Sequence, residues 1–600
     1  MKHSPVLPAI LSLALAIPAR AASNHPDGAR VFQEKCAVCH RNSQATGAPQ
    51  QAVLSQLSQT YILRALESGN MKSVGNQLTK SQRLAVAQFL SATEPSTQIP
   101  HGGYCMVHAK PILDDPGWTS WGADVVNSRF APGSISGLYR ADVPRLKLKW
   151  AFGFPGASAT FGQPTVFGGR LYVGSEDGTV YSLDAKTGCI YWTFKAPTTV
   201  KTAISPGYGG RVAYFGDVAG DVYAIDTATG KLIWKVHVDT HPAARITGSP
   251  VFFNGRLYVP VSSGEEGAAI DPKYPCCTFR GSVVALDART GKQVWKAYTI
   301  PEPAHPTGQR NSTGTPLWGP SGAAVWSPPT IDEKKHAIYV ATGNSYSDPA
   351  SAYTDAVIAF RMSDGKMLWH RQLTPDDRWN IACVAPDRIN CPQNPGHDFD
   401  FGSPPMLRIL PDGRRALIIG QKSGVVYALN PDQKGQIIWE TRIGKGGPLG
   451  GIQWGGAAEG NTVFFPLSDW EVDNPNTGGG MFALQASDGQ KMWYAPPAPP
   501  ACAKLFGCSA AQSAPPTAVP GVIFSGSEDG HLRAYDAATG KVIWDFDALQ
   551  KFQTVNGIVA DGGSMNATGP AVVNGMLYVQ AGYTNNVAGN VLLAFSVDGK

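Results

Sequence analysis

The chain has 600 residues, with 67 glycines, 47 prolines, 16% charged residues and a formal net charge of +5. So small a charge on so long a chain, with no Lys/Arg stripe, excludes an electrostatic nucleic-acid binder. No apolar run reaches the ~18 residues of a membrane span, and the turn-rich composition points to an all-β body larger than a usual single core.

In chain order, Lys2 and His3 precede an apolar run, Val6–Ile17, and the small-residue site Ala19-Arg-Ala21. Residues 1–22 are therefore expected to be a signal peptide, and the mature protein periplasmic. Export would place the ten cysteines in an oxidising compartment. Cys36-Ala-Val-Cys39-His40 has the pattern for covalent haem attachment, two thiols for the vinyl groups and an imidazole for iron. The same spacing also serves a redox dithiol or a disulfide. Gly28–Cys36 reads as a helix ending at the motif, and Thr79–Leu90 has helical apolar spacing. These segments resemble the small soluble c-type cytochromes. That resemblance implies haem c on Cys36 and Cys39, with His40 and Met71 as the axial ligands of its iron. The polar, helix-breaking stretch Thr93–Ile99 marks a boundary. The expected organisation is an all-α cytochrome domain over residues 23–95, a linker over 96–116 and a propeller over 117–600.

Ala285-Leu-Asp-Ala-Arg-Thr-Gly-Lys-Gln-Val-Trp295 recurs with variations that close at Trp192, Trp234, Trp369, Trp439, Trp493 and Trp544. Each copy reads as a strand, a turn whose glycine supplies φ > 0, and a second strand. One copy per four-stranded blade gives seven blades. An eighth begins at Leu593–Lys600 and is expected to be completed by Leu146–Phe152 from the opposite end, which removes the exposed edge. The tryptophans are expected to pack between blades. An eight-bladed propeller is an architecture and leaves the activity open.

Beyond the haem pair, Cys383/Cys391 and Cys502/Cys508 lie in short inserts and are expected to form local bridges. Cys276 and Cys277 are adjacent, which leaves Cys105 and Cys189 to pair by elimination. The lead-in Gly117–Pro132 and the propeller beyond it resemble the pyrroloquinoline quinone (PQQ) alcohol dehydrogenases. In that family a tryptophan stacks on the quinone eighteen residues before a calcium-ligating Asn in a Thr-Gly-Asn turn, and Trp326 and Asn344 keep that spacing. The resemblance implies further roles. Glu266, preferred to Glu265, would ligate Ca2+, and Cys276–Cys277 would form a vicinal disulfide against the quinone, with two buried thiols as the alternative. Lys422 would bond the reactive oxygens, and Lys201 and Thr247 would hold the carboxylates.

Asn380 follows Trp379 where the family shows an Asp, and an amide cannot act as a base. His397-Asp398-Phe-Asp400 resembles the motif of membrane glucose dehydrogenases, which puts the base, and a calcium ligand, on Asp398, with Asp400 next. The N-terminal haem motif, Tyr274–Gly281 and Gly396–Pro405 together resemble the polyvinyl alcohol dehydrogenases with cytochrome. The implied reaction is oxidation of secondary alcohols by PQQ and Ca2+, with electrons leaving through haem c to an external cytochrome c. A PQQ dehydrogenase for small alcohols, aldehydes or sugars is the alternative. A non-enzymatic envelope scaffold carrying a haem is another, of a different class.

Overall fold

The computed structural model describes residues 1, 26–41, 46, 48–55, 57, 59–67, 71–91, 99–107, 109–115, 117–471, 474–502, 505, 507–584 and 586–600. The expected signal peptide, apart from Met1, lies outside them, as does most of Thr93–Ile99.

Helices α1 (Gly28–Lys35), α2 (Gln59–Glu67) and α3 (Lys80–Leu90) build the N-terminal unit. Asp27 accepts the Ala29 N–H at 3.0 Å to cap α1. Thr79 and Gln82 form a reciprocal capping box on α3, at 2.9 and 3.2 Å. The first and last helices cross at Gly28, where a Cβ would come within 2.1 Å of the Ala85 carbonyl oxygen. That close approach lets Val31 and Phe32 pack with Val86, Ala87 and Leu90 in one core. The Cys-x-x-Cys-His motif follows α1 directly, as expected.

Eight four-stranded antiparallel blades follow, counting the third, to which Ala244–Arg245 adds a short extra strand. In the closing blade, Ala571–Val573, Met576–Ala581 and Val591–Val597 come from the C-terminus. The fourth strand is Leu146–Gly153, paired from Leu146↔Val597 to Gly153↔Val591. The C-terminal part thus supplies three strands of that blade and the opposite end one.

The repeated tryptophans bind each blade to the next. The indole N–H of Trp234 donates to the Ala288 carbonyl at 3.1 Å, and that of Trp544 to the Leu146 carbonyl at 3.1 Å across the closure. Gly291 shows why the turn needs glycine. Its φ is +72°, and a Cβ there would stand 2.8 Å from the Trp234 ring. Asp287 Oδ1 accepts the N–H and the hydroxyl of Thr290 at 3.0 and 2.9 Å, which explains the Asp and Thr of the repeat.

The cysteines pair as Cys105–Cys189, Cys276–Cys277, Cys383–Cys391 and Cys502–Cys508. Cys36 and Cys39 stay unpaired. Tyr104 and Cys105 lie along Ile190 of the first blade, so this segment is fastened to the ring by both a bridge and a disulfide. Among the described residues, no helix is long and apolar enough to cross a membrane.

Candidate active site

Loops at one end of the ring converge on a cavity of about 290 Å³. Successive blades supply its side chains from matching positions. Lys201 and Thr247 precede the first strands of the second and third blades, and Trp326 that of the fourth. Asn344 and Lys422 follow the strands Ala337–Ala341 and Arg415–Gly420. Glu266 lies in a short helix, α4 (Glu265–Ala268), after the strand Arg256–Ser263. All six line the cavity, together with Asp400.

Trp326 is held flat from two sides. A Cβ on Gly402 would come within 2.3 Å of its ring, and Trp454 stands edge-on to it at 5.2 Å and 88°. Trp454 is fixed in turn by its indole N–H, which donates to Asn566 Oδ1 at 2.8 Å. Lys422 Nζ is 5.5 Å from the Trp326 ring centroid, on the cavity side. The result is an aromatic floor with a cation over it, a shape suited to a flat, polar, anionic ring system.

Lys422 Nζ donates to Asp398 Oδ2 at 3.1 Å and to Asp400 Oδ2 at 3.0 Å. Asp400 Oδ1 accepts the Asn344 N–H at 2.6 Å, so both its oxygens are engaged. Asp398 accepts at Oδ2 alone among the described residues. It adopts φ +58° and is placed by Asp377, whose carboxylate accepts the N–H groups of Asp398 (3.0 Å) and Phe399 (2.6 Å). Carboxylate oxygens of Glu266, Asp398 and Asp400 lie within 4.8 Å of one another. The Asn344 amide nitrogen donates to the Ser345 and Trp379 carbonyls at 3.0 and 2.8 Å. Its Oδ1 is buried without a partner among the described residues. An orphaned amide oxygen beside three clustered carboxylates is a hard-oxygen donor set of the kind Ca2+ takes.

The electrostatics agree. Burial, then the Asp400 charge, pushes Glu266 up to about 8. Burial raises Asp398 well above the carboxylate range; Lys422 opposes this, and the Asp400 and Glu266 charges add to it. Burial works against the Lys422 cation, yet Asp398, Asp400 and Glu266 outweigh it and hold its pKa above the ordinary lysine value. The cluster is acid-rich and short of positive charge, which a divalent cation would supply.

The remaining predicted residues fall differently. Asn380 is a structural cap. Its Oδ1 accepts the Ala382 N–H at 2.9 Å, and its Nδ2 donates to the Tyr346 and Asn390 carbonyls at 2.8 and 3.0 Å. The Cys276–Cys277 pair does not line the cavity. It packs behind the wall with Ala324 and Tyr346, which do. Thr247 Oγ1 and the neighbouring Ser327 Oγ, a residue the sequence did not single out, are buried without partners among the described residues. Both face the cavity and are ready to donate to a ligand carboxylate.

A second cavity, of about 140 Å³, holds Cys36, Cys39, His40 and Met71 against Leu54, Ile62 and Leu66. His40 Nδ1 is 2.6 Å from the Pro49 carbonyl, so its N–H donates there and Nε2 carries the lone pair. Burial lowers the His40 pKa, and the Pro49 bond opposes this, which favours the neutral ligating form. Burial pushes the Cys36 and Cys39 thiols up to about 12 and about 11. Unpaired, neutral thiols and an oriented imidazole in an apolar slot fit a covalently attached haem. The propeller closes this slot with Gly267, Ile270 and Ile381. Glu266 lines the first cavity and Gly267 the second, so α4 is the wall between them.

Two family profiles match the chain. One, described as "Glucose/ethanol/alcohol dehydrogenase, beta-propeller domain", matches residues 239–443. The other, described as "Outer membrane protein assembly factor BamB", matches the blade repeat at 125–274, 422–560 and 477–600. A polyvinylalcohol dehydrogenase of a Pseudomonas species is 40% identical, covering 99% of this chain and 97% of its own length. That of Sphingopyxis sp. (strain 113P3) is 38% identical, covering 96% and 93%. The solved quinohemoprotein alcohol dehydrogenase of Comamonas testosteroni matches with TM-score 0.59 at 19% identity over 81% of each chain, a likeness of fold.

Proposed function

The chain belongs to the PQQ-dependent alcohol dehydrogenases, with polyvinyl alcohol dehydrogenases as its near relatives, and we propose that it oxidises secondary hydroxyls of polyvinyl alcohol to ketones. Haem c, held by Cys36, Cys39, His40 and Met71, would supply one-electron transfer to an external cytochrome c in the periplasm. The observation that carries it is the orphaned Asn344 Oδ1 beside Glu266, Asp398 and Asp400, next to the Trp326 floor and Lys422.

Bound PQQ supplies a two-electron acceptor, and bound Ca2+ polarises its reacting carbonyl. Glu266, Asn344, Asp398 and Asp400 would hold the ion. Trp326 would carry the ring, with Lys201, Thr247 and Ser327 on its carboxylates. Lys422 Nζ provides a cation for the oxygen that gains negative charge as the alcohol is oxidised. Asp398, which does not itself line the cavity but is bonded to Lys422, which does, would take the hydroxyl proton on its second oxygen, which accepts no hydrogen bond among the described residues.

In the N-terminal unit, Cys36 and Cys39 would carry the haem and His40 and Met71 ligate its iron. The single helix α4 separating the two cavities supports transfer within one chain. Replacing Met71 with Ala is expected to lower the haem midpoint potential, since a thioether ligand raises it; a potentiometric titration with no change would remove Met71 from the iron. Four disulfides among the described residues suit an exported protein.

The substrate is tested by incubating the enzyme with polyvinyl alcohol, small secondary alcohols, aldehydes and sugars, and following carbonyl formation. Polyvinyl alcohol and secondary alcohols are expected to react most efficiently. A clear preference for aldehydes or sugars would assign the chain to another branch of the family.

A further inference from the structure

The seam between the helical unit and the ring holds a third, small cavity of about 30 Å³. Tyr61 and Arg64 of α2 line it from one side, and Phe161, Glu176, Thr199 and Lys201 from the other. Lys201 also lines the quinone cavity, so one lysine faces both. Glu176, only 5% exposed, has no part in the chemistry above. Its Oε2 accepts the N–H groups of Ser158 and Ala159 at 3.1 and 3.3 Å. Its backbone is anchored by the Thr199 hydroxyl, which donates to the Glu176 carbonyl at 2.8 Å. The Tyr61 hydroxyl donates to its carboxylate and lies 3.3 Å from Thr584 Oγ1.

We propose that Glu176 is a positioning residue that couples docking of the helical unit to quinone capture: Tyr61 holds it as a carboxylate, and the carboxylate keeps Lys201 charged for a carboxylate of PQQ. The proposal rests on the reading of the first cavity as the quinone site. Burial raises Glu176 to about 7, while the Ser158 N–H, the Tyr61 hydroxyl and the Arg64 and Lys201 charges work the other way. Burial, then the neighbouring Arg245 charge, pushes Lys201 down to about 8, and Glu176 opposes both. Each group thus changes charge near neutrality, and each favours the charged form of the other. Quinone binding adds an anion beside Lys201, so affinity falls as pH rises through the Lys201 value. Loss of the Glu176 charge lowers that value and moves the fall to lower pH.

The test uses the full chain with its haem, freed of quinone and supplied with Ca2+, titrated with PQQ while tryptophan fluorescence is followed. Tyr61→Phe and Glu176→Gln are each expected to bind PQQ about tenfold more weakly than the parent at about pH 7.5. Parent and variants should converge at about pH 6, where Lys201 is protonated in all of them. An unchanged haem spectrum shows that the helical unit has folded around its haem, and Tyr61→Phe, which deletes a single hydroxyl, decides the matter if Glu176→Gln does not fold. Equal or tighter binding at about pH 7.5 overturns the proposal, because Glu176 would then be neutral to the quinone or repel it. An equal loss at every pH also overturns it, since that marks packing alone. Failure of the parent itself to bind PQQ would instead overturn the quinone reading, and this coupling with it.

Discussion

Asp398→Asn is expected to lower turnover by about 10²–10⁴-fold while leaving the haem spectrum unchanged, the range that a positioned general base contributes. The substitution keeps the shape and one hydrogen-bond acceptor for Lys422 but cannot take a proton. The parent's pH–rate profile carries the same information. Burial raises the Asp398 pKa well above the carboxylate range, and a base must be ionised to act. Bound Ca2+ opposes that rise, so in the loaded enzyme the rate is expected to fall away on the acid side of a value set by burial and the ion together. Asp400→Asn is the control. Both Asp400 oxygens are already engaged, so its loss should weaken Ca2+ and quinone retention, with activity partly restored by excess Ca2+. If Asp398→Asn keeps full turnover while Asp400→Asn abolishes it even in excess Ca2+, the base is Asp400.

Lys422→Ala is expected to have the second large effect, on stability as well as rate. The ammonium is buried between Asp398 and Asp400, and Glu266 adds a third carboxyl. Removing one partner of a buried charged cluster costs about 3–5 kcal/mol, because the remaining charges are left uncompensated. In Ca2+-free buffer the variant should unfold at markedly lower denaturant than the parent. Added Ca2+ should stabilise it more than it stabilises the parent, since the ion would then be the only cation in the cluster. Turnover should fall even with Ca2+ and PQQ present, as no other cation among the described residues stands over Trp326. Parent-like stability without Ca2+ would show that the three carboxyls do not depend on Lys422 for charge.

The ring was legible because its repeat is chemically specific. Asp287 and Thr290 cap a turn that requires Gly291, and Trp234 covers that same glycine from the blade before. The closing strand followed from the incomplete copy at Leu593–Lys600, although the C-terminus proved to hold three of the four strands. The disulfide partners of Cys105 and Cys383 followed by elimination and proximity.

At the site, Trp326, Asn344, Glu266 and Lys422 were readable from the family motif, and all four meet in one cavity. Trp454, Ser327, Asp377 and Glu176 were not. Each is an ordinary residue type in an ordinary turn, and its role comes only from segments distant in sequence: Gly402 and Asn566 around Trp326 and Trp454, or Tyr61 against Glu176. Asn380 was read as a residue that cannot act as a base. Its use as a cap for residues 381–384 needed the fold.

The most direct measurement follows the haem absorption band of the quinone-free full chain after anaerobic mixing with polyvinyl alcohol, alone, with PQQ, with Ca2+ and with both. Reduction of the haem only when both are present is the predicted result, and it would join the Asn344 cluster, the Trp326 floor and a haem held at Cys36–His40 in one electron path. A haem that stays oxidised with PQQ, Ca2+ and substrate all present would contradict that path.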